Sequence, residues 1–448
     1  MNNKKKPLTY LTFTYGCQMN EHDSEVIAGM LNKLGIKETD DVDSADIIIF
    51  NTCCVRQHAE ERVFGRIGQL KKLKAKNPNL IIAVGGCMVQ QKGMAREIAE
   101  RFPYVDILFG THNIHNLPQM IEDVMNSRET VIDIWDREGK IIENLPIKRA
   151  DNVKAWVPIT YGCNNFCSYC IVPYVRGRER SRALEDILRE VKSLASEGYR
   201  EITLLGQNVN SYGKDLKEKL EFADLLYALD SIEGIYRIRF MTSHPKDLSD
   251  SLIEAIQKCP SVCEHIHLPL QSGSNKILKL MNRNYTREHF ERLVNKIREH
   301  IPSCSITTDI IVGFPGETHE DFLDTLDIVK RIEFDSAFTF MFSKRKGTPA
   351  ADMPGQIDSD TKKDRLHQLM TLQKEITYKK NQELKNKILD VLVEGINETK
   401  NGKLIGRTRT NKIVYFEGNR DMIGQIINVR IIEPRTWTLI GEFCGDEK

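Results

Sequence analysis

Between Val157 and Met341 the chain repeats one pattern six times: a short apolar run followed by a longer stretch of helical periodicity. The runs Val157–Thr160, Ile202–Leu205, Arg237–Met241, His265–Leu268, Ile306–Val312 and Ser336–Met341 read as strands, and segments such as Leu184–Ser196 and His319–Arg331 as helices. Strands alternating with amphipathic helices bury their apolar sides only when the strands run parallel and the helices cover them. Six such units are two short of a closed eightfold barrel. The expectation is a partial (β/α)6 barrel whose open side admits a large substrate.

Around this core the 448 residues leave room for two smaller domains. The first 125 residues alternate strands (Tyr10–Tyr15, Asp46–Asn51, Leu80–Val84, Ile107–Phe109) with helices (Ser24–Leu34, Ala59–Ala75), which points to an open parallel α/β sheet. After a long charged helix over roughly Thr361–Lys387 come five short strands: Ile388–Glu394, Leu404–Arg409, Lys412–Phe416, Gln425–Ile432 and Thr436–Gly441. These suit a small antiparallel β-barrel. The fold class is therefore α/β with a β-barrel appendage. The expected boundaries are 1–130 for the first domain, 131–152 for a linker, 153–380 for the central barrel and 381–445 for the last.

Lys+Arg 64 against Asp+Glu 63 gives a net charge of +1, so any nucleic-acid contact must come from local basic patches. No apolar run reaches the ~18 residues that span a bilayer, and the basic start MNNKKK lacks the continuous apolar core of a signal peptide. A cytoplasmic, reducing setting follows, in which the 11 cysteines are more useful as metal ligands than as disulfides.

Three of them, Cys163-Asn-Asn-Phe-Cys167-Ser-Tyr-Cys170, form a C-x3-C-x2-C triplet just past the first barrel strand. Three thiolates so close in sequence suit one corner of a [4Fe–4S] cluster, and the absent fourth ligand leaves one iron open. A zinc site would need a nearby fourth Cys or His, and His244 and Cys259 are remote. Cys17, Cys53 and Cys87 each follow a strand of the N-terminal sheet. Carboxyl ends of parallel strands share one edge, where three thiols could converge on a second cluster. Structural core cysteines are the alternative for this set.

The triplet's placement resembles the radical S-adenosylmethionine (SAM) superfamily. Tyr15-Gly-Cys17-Gln-Met-Asn20, Asn51-Thr-Cys53-Cys-Val-Arg56 and Gly85-Gly-Cys87-Met88 resemble motifs of its methylthiotransferases. Ile171–Arg182, Leu205–Gly213, His267–Ser274, Met281–Thr286 and Asp309–Glu317 are similar to the tRNA-modifying MiaB-type subgroup, and the last domain to RNA-binding TRAM domains. The resemblance implies two [4Fe–4S] clusters, held by Cys163, Cys167 and Cys170 and by Cys17, Cys53 and Cys87, with Cys54 a bystander. It implies S-adenosyl-L-methionine both as methyl donor and as radical source, and a reducing electron donor. The implied reaction adds a methylthio group at C2 of N6-isopentenyladenosine beside the anticodon of a tRNA. An adenine C2–H has no acidic proton, which is why a radical is needed. A monomer without membrane contact is expected.

SAM should lie over the barrel's carboxyl-end mouth, where Tyr169, Gln207, Asn208, Ser243, Gln271, Ser272, Gly313 and Pro315 are candidates and His244 a conceivable proton handler. For RNA, Arg176, Arg178, Arg180 and Arg182 follow the triplet, and Arg407 and Arg409 alternate in the last domain near Tyr415 and Phe416. Guanidiniums there would hold phosphates, unless they are spent on internal pairs. Two other readings stay open: a methylthiotransferase acting on threonylcarbamoyl-adenosine or on a ribosomal-protein aspartate, and a non-enzymatic iron–sulfur RNA-binding protein.

Overall fold

The computed structural model describes residues 7–54, 57–398 and 402–445, the side chains of 57–59 excepted. Val55 and Arg56, the tail of the Asn-Thr-Cys motif, and the basic start of the chain lie outside the described residues. The chain divides into two compact units, Met1–Ala150 with Tyr161–Asn164 and Cys170–Arg180, and Asp151–Thr160 with Asn165–Tyr169 and Ser181–Lys448.

The first unit is built on near-continuous apolar strands. β1 (Thr9–Thr14), β3 (Ile47–Thr52), β4 (Ile81–Gly86) and β5 (Ile107–Phe109) pair in parallel, and every residue of β3 and β4 is buried. Burial on both faces is what such runs demand. Ile47, Ile49, Ile81, Ala83, Ile107 and Phe109 face α1 (Gln18–Lys33) and α4 (Leu117–Ser127). Their neighbours Ile48, Phe50, Ile82, Val84 and Leu108 face α2 (Gln57–Lys76) and α3 (Met94–Arg101). Two further strands, β2 (Lys37–Glu38) and β6 (Val131–Asp133), complete the order β2-β1-β3-β4-β5-β6. Sequence periodicity missed both, because an edge strand of two or three residues has too few positions to show an alternation. β6 also carries the first sheet past the boundary expected at 130.

The stretch expected as a linker is laid onto this unit. The Lys148 N–H donates to the Glu25 carbonyl and the Ala150 N–H to the Glu25 carboxylate, each at 3.0 Å. Arg149 pairs with the same carboxylate at 3.2 Å. Gly29 in the middle of α1 permits the approach, since a Cβ there would lie 2.2 Å from the Pro146 carbonyl oxygen.

In the second unit six parallel strands follow one another in chain order: Lys154–Pro158, Glu201–Leu205, Arg237–Phe240, His265–His267, Ser305–Val312 and Ser336–Met341. They form two three-stranded halves joined by a parallel bridge between Ile238 and Val262, the partial barrel expected. The terminal strands close a five-stranded barrel around Val391, Val393, Leu404, Val414, Phe416, Val429, Ile431 and Leu439. It is the small antiparallel barrel expected, closed at one seam by a parallel pairing of Ile413–Phe416 with Leu439–Phe443.

Polar groups at the amino ends of the central strands hold the terminal barrel. Lys154 pairs with Glu394 at 2.9 Å and Lys412 with Asp335 at 3.1 Å. Arg237 donates to the Arg407 carbonyl and to Asp390. Arg239 donates to the Thr408 and Arg409 carbonyls while pairing with Glu201 at 2.9 Å. The carboxyl ends of the same strands, where barrel active sites are built, are left to the site.

Candidate functional site

In the first unit the chain order reverses between β1 and β3, the point at which open α/β sheets place their ligands. Cys17 is the residue before α1, Cys53 and Cys54 follow β3, and Cys87 follows β4. Gly16 has φ +127°, and a Cβ on it would lie 2.6 Å from the Cys53 Cβ, so the loop carrying Cys17 presses on Cys53. The Cys17 and Cys87 thiols lie 3.8 and 3.9 Å from the same oxygen, Asn20 Oδ1. Three chain segments far apart in sequence thus bring their cysteines to one strand edge.

Asn20 and Asp23 were not legible as site residues, although Asn20 stands one helical turn beyond Cys17. The Asn20 amide nitrogen donates to the Tyr15 carbonyl at 3.0 Å and to the Thr52 carbonyl at 2.9 Å, tying the two cysteine loops together. Arg176 lies in this site as well. Its Nε donates to Cys87 Sγ at 3.2 Å, and its Nη2 to Asn20 Oδ1 at 2.9 Å and Asp23 Oδ2 at 2.8 Å. Cys54, also buried, hydrogen-bonds to Cys87, which pulls the Cys87 thiol down and pushes Cys54 up. Cys163 and Cys170, both half-buried, belong to this unit too.

In the second unit Cys167 is buried and accepts a hydrogen bond from Arg283 Nη1 at 3.4 Å. The same guanidinium donates to the Pro269 carbonyl and to the Tyr285 hydroxyl. Tyr169 packs against Ile277, Met281, Phe314, Phe342 and Ala350. At the strand ends, buried polar atoms without partners among the described residues include Thr160 Oγ1, Asn208 Oδ1, Ser243 Oγ, His244 Nε2 and Gln271 Oε1. Orphaned buried polar atoms are costly and mark a place where a polar ligand belongs. Gln271 adopts φ +69° and Gly313 φ +70° in this rim, where Gly313 donates its N–H to Glu317. Ser272 differs, being fully buried and facing the Thr325 hydroxyl at 3.5 Å. Gln207 is half-buried and Pro315 buried.

His244 accepts the Lys246 N–H on Nδ1, which leaves Nε2 as the protonated nitrogen. Burial, with Arg283 and lysines nearby, pushes its pKa down to about 2, so it is a neutral hydrogen-bond donor at working pH.

The arginines expected to hold phosphate are mostly engaged. Arg176 is buried as described. Arg182 is buried on Glu190 at 2.7 Å and the Pro158 carbonyl at 2.8 Å. Arg180 donates to the Gly139 carbonyl, and Arg178 is the exposed member of the four. Arg407 pairs with Glu394 and Arg409 with Glu264, at 2.9 and 2.7 Å. Phe416 sits in the terminal core and Tyr415 is buried beside it. Arg407 lies on the strand Lys403–Thr408 as expected, whereas Arg409 falls in the turn just past it, and the alternation did not reveal the carboxylates that meet them.

Three thiols at one strand edge, those of Cys17, Cys53 and Cys87, suit an iron–sulfur cluster by their chemistry. Among the described residues no three His, Cys, Asp or Glu side chains close on one metal position. A cubane spreads its three thiolates over three irons and needs only a shared edge. The rim of unpartnered polar atoms fits a polar cofactor.

Three family models match successive parts of the chain: "Uncharacterized protein family UPF0004" over 9–110, "Radical SAM superfamily" over 157–329 and "TRAM domain" over 382–444. Among solved structures, the radical SAM methyltransferase TsrM from Kitasatospora setae, bound to cobalamin and a [4Fe-4S] cluster, aligns with TM-score 0.56 at 15% identity, covering 77% of each chain. The cobalamin-dependent radical SAM enzyme OxsB aligns at TM-score 0.53 and 13% identity, over 84% of this chain and 56% of that one. These share the fold. Two relatives called tRNA-2-methylthio-N(6)-dimethylallyladenosine synthase are far closer. That of Thermoanaerobacter pseudethanolicus is 60% identical over 98% of this chain and 93% of its own length. That of Clostridium botulinum is 58% identical over 96% and 95%. At that identity over nearly the whole length, the chain belongs to the family of tRNA-2-methylthio-N(6)-dimethylallyladenosine synthases.

Proposed function

We propose that this chain is a radical SAM methylthiotransferase that converts N6-isopentenyladenosine, next to the anticodon of a tRNA, to its 2-methylthio derivative. The observation that carries the reading is the 60% identity, along 440 residues, to a synthase of that name. It favours this reaction over threonylcarbamoyl-adenosine, a ribosomal aspartate or a purely binding role. Cys163, Cys167 and Cys170 hold one [4Fe–4S] cluster, and Cys17, Cys53 and Cys87 a second. Bound there, the clusters supply the electron that cleaves SAM and a site for the sulfur to be transferred.

The remaining work falls to the protein. The unpartnered atoms of Asn208, Ser243 and Gln271 bind the polar groups of SAM, on the rim that Gly313 and Pro315 also form. Neutral His244 offers an N–H rather than a proton. Arg178 contacts the RNA backbone from the exposed loop. The first domain extends to about residue 150, the central barrel follows from about 153 and the terminal barrel from about 381; an external reductant supplies electrons, and the enzyme works as a cytoplasmic monomer. Among the described residues no helix is long and apolar enough to cross a membrane.

The test is anaerobic reconstitution, reduction, and incubation with SAM and isopentenylated tRNA, followed by mass spectrometry of the nucleosides. The 2-methylthio derivative supports the reading. 5′-Deoxyadenosine without it leaves the radical step standing and refutes the substrate.

A further inference from the structure

Arg176 is a buried cation with a defined set of partners. Its guanidinium donates through Nε to Cys87 Sγ at 3.2 Å and through Nη2 to Asp23 at 2.8 Å and Asn20 at 2.9 Å, and Asn20 Oδ1 also meets the Cys17 thiol. A surface arginine meant for phosphate would not be enclosed in this way, with 6% of its surface exposed. In the second unit Arg283 makes the same kind of contact to Cys167. Each cysteine set therefore has one enclosed guanidinium on one of its sulfurs.

A cysteinate bound to iron keeps lone pairs that accept an N–H, and such bonds, like nearby fixed charge, are among the protein's means of setting a cluster's potential. When a cluster takes up one electron its total charge becomes more negative by one. A positive charge held at sulfur-contact distance in a poorly solvated site lowers the energy of that reduced form. We infer that Arg176 is a positioning residue of the Cys17/Cys53/Cys87 cluster, whose hydrogen bond to Cys87 raises that cluster's reduction potential, with Asp23 holding the guanidinium in place and partly offsetting its charge. The inference rests on the cluster assignment made above.

The test uses the full chain with Cys163, Cys167 and Cys170 changed to Ala, so that only the other cluster is read. Iron per chain is measured first, and the cluster is then titrated with dithionite through redox mediators and followed by electron paramagnetic resonance. Arg176→Gln removes the charge and moves the midpoint to more negative potential. Asp23→Asn removes the opposing charge and moves it to more positive potential. Opposite shifts are what a merely structural role would not give. Unmoved midpoints, or shifts of the same sign, overturn the inference while leaving the cluster reading intact. A parent variant without iron overturns both. Should Arg176→Gln alone fail to hold iron, the Asp23→Asn shift decides.

Discussion

The Glu201–Arg239 pair tests whether the amino ends of the barrel strands are a docking face. Arg239 is 5% and Glu201 2% exposed, and the guanidinium also satisfies the carbonyls of Thr408 and Arg409. Glu201→Gln keeps an oxygen for Arg239 but leaves its charge enclosed without its paired carboxylate. Removing one partner of a buried pair costs about 3–5 kcal/mol, because the surviving charge has lost both water and its partner. The Glu264–Arg409 pair, with 24% and 23% exposure, retains solvent. Glu264→Gln should therefore cost about 1 kcal/mol or less. In urea, with a slope of about 2 kcal/mol/M, the first change lowers the unfolding midpoint of the second unit by about 1.5–2.5 M and the second by about 0.5 M or less. Limited proteolysis reads the same contact, since the terminal barrel should be released earlier from the Glu201→Gln protein. Equal midpoints for the two variants would refute the argument from burial.

Gly29→Ala in α1 should destabilise the first unit by about 1–3 kcal/mol in thermal or urea unfolding, against the gain a mid-helix Gly→Ala change usually brings, because its Cβ meets the Pro146 carbonyl. A gain in stability would show that 146–150 is not laid on the helix. His244 is pushed down to about 2 from an ordinary 6.5, so the unfolded chain binds a proton that the folded chain refuses. Stability from this residue is complete above about pH 6.5 and falls by about 1.4 kcal/mol per pH unit below it; His244→Asn should flatten that acid limb, and an unchanged limb would contradict the burial. Cys53→Ala should lose the iron of the N-terminal cluster in a chain already lacking Cys163, Cys167 and Cys170, whereas Cys54→Ala should retain it, as elemental analysis would show. Arg178→Ala should weaken tRNA binding and reduce the slope of log affinity against log salt by about 0.7–0.9. Arg409→Ala should leave that slope unchanged.

What the residues determine alone is the set of elements and the identity of the chemical groups. Runs such as DIIIFN and LIIAV have one stable solution, a strand covered on both faces, and the Cys163 triplet is local enough to read without a fold. Leu184–Ser196 is legible to the residue because its apolar face repeats at helical period over 13 residues. The partnerships are a different matter, since they depend on which side chains meet across tens or hundreds of residues. Arg176 reads as a surface cation in sequence and is enclosed because α1 brings Asp23 and Asn20 to it, 153 and 156 residues away. Arg409 alternates as an RNA-binding residue would, yet meets Glu264 at a separation of 145 residues. Sequence period reports which face a residue occupies. Only the packed chain decides what charge stands opposite, and at a buried position that charge determines whether an arginine binds a phosphate, a carboxylate or a sulfur.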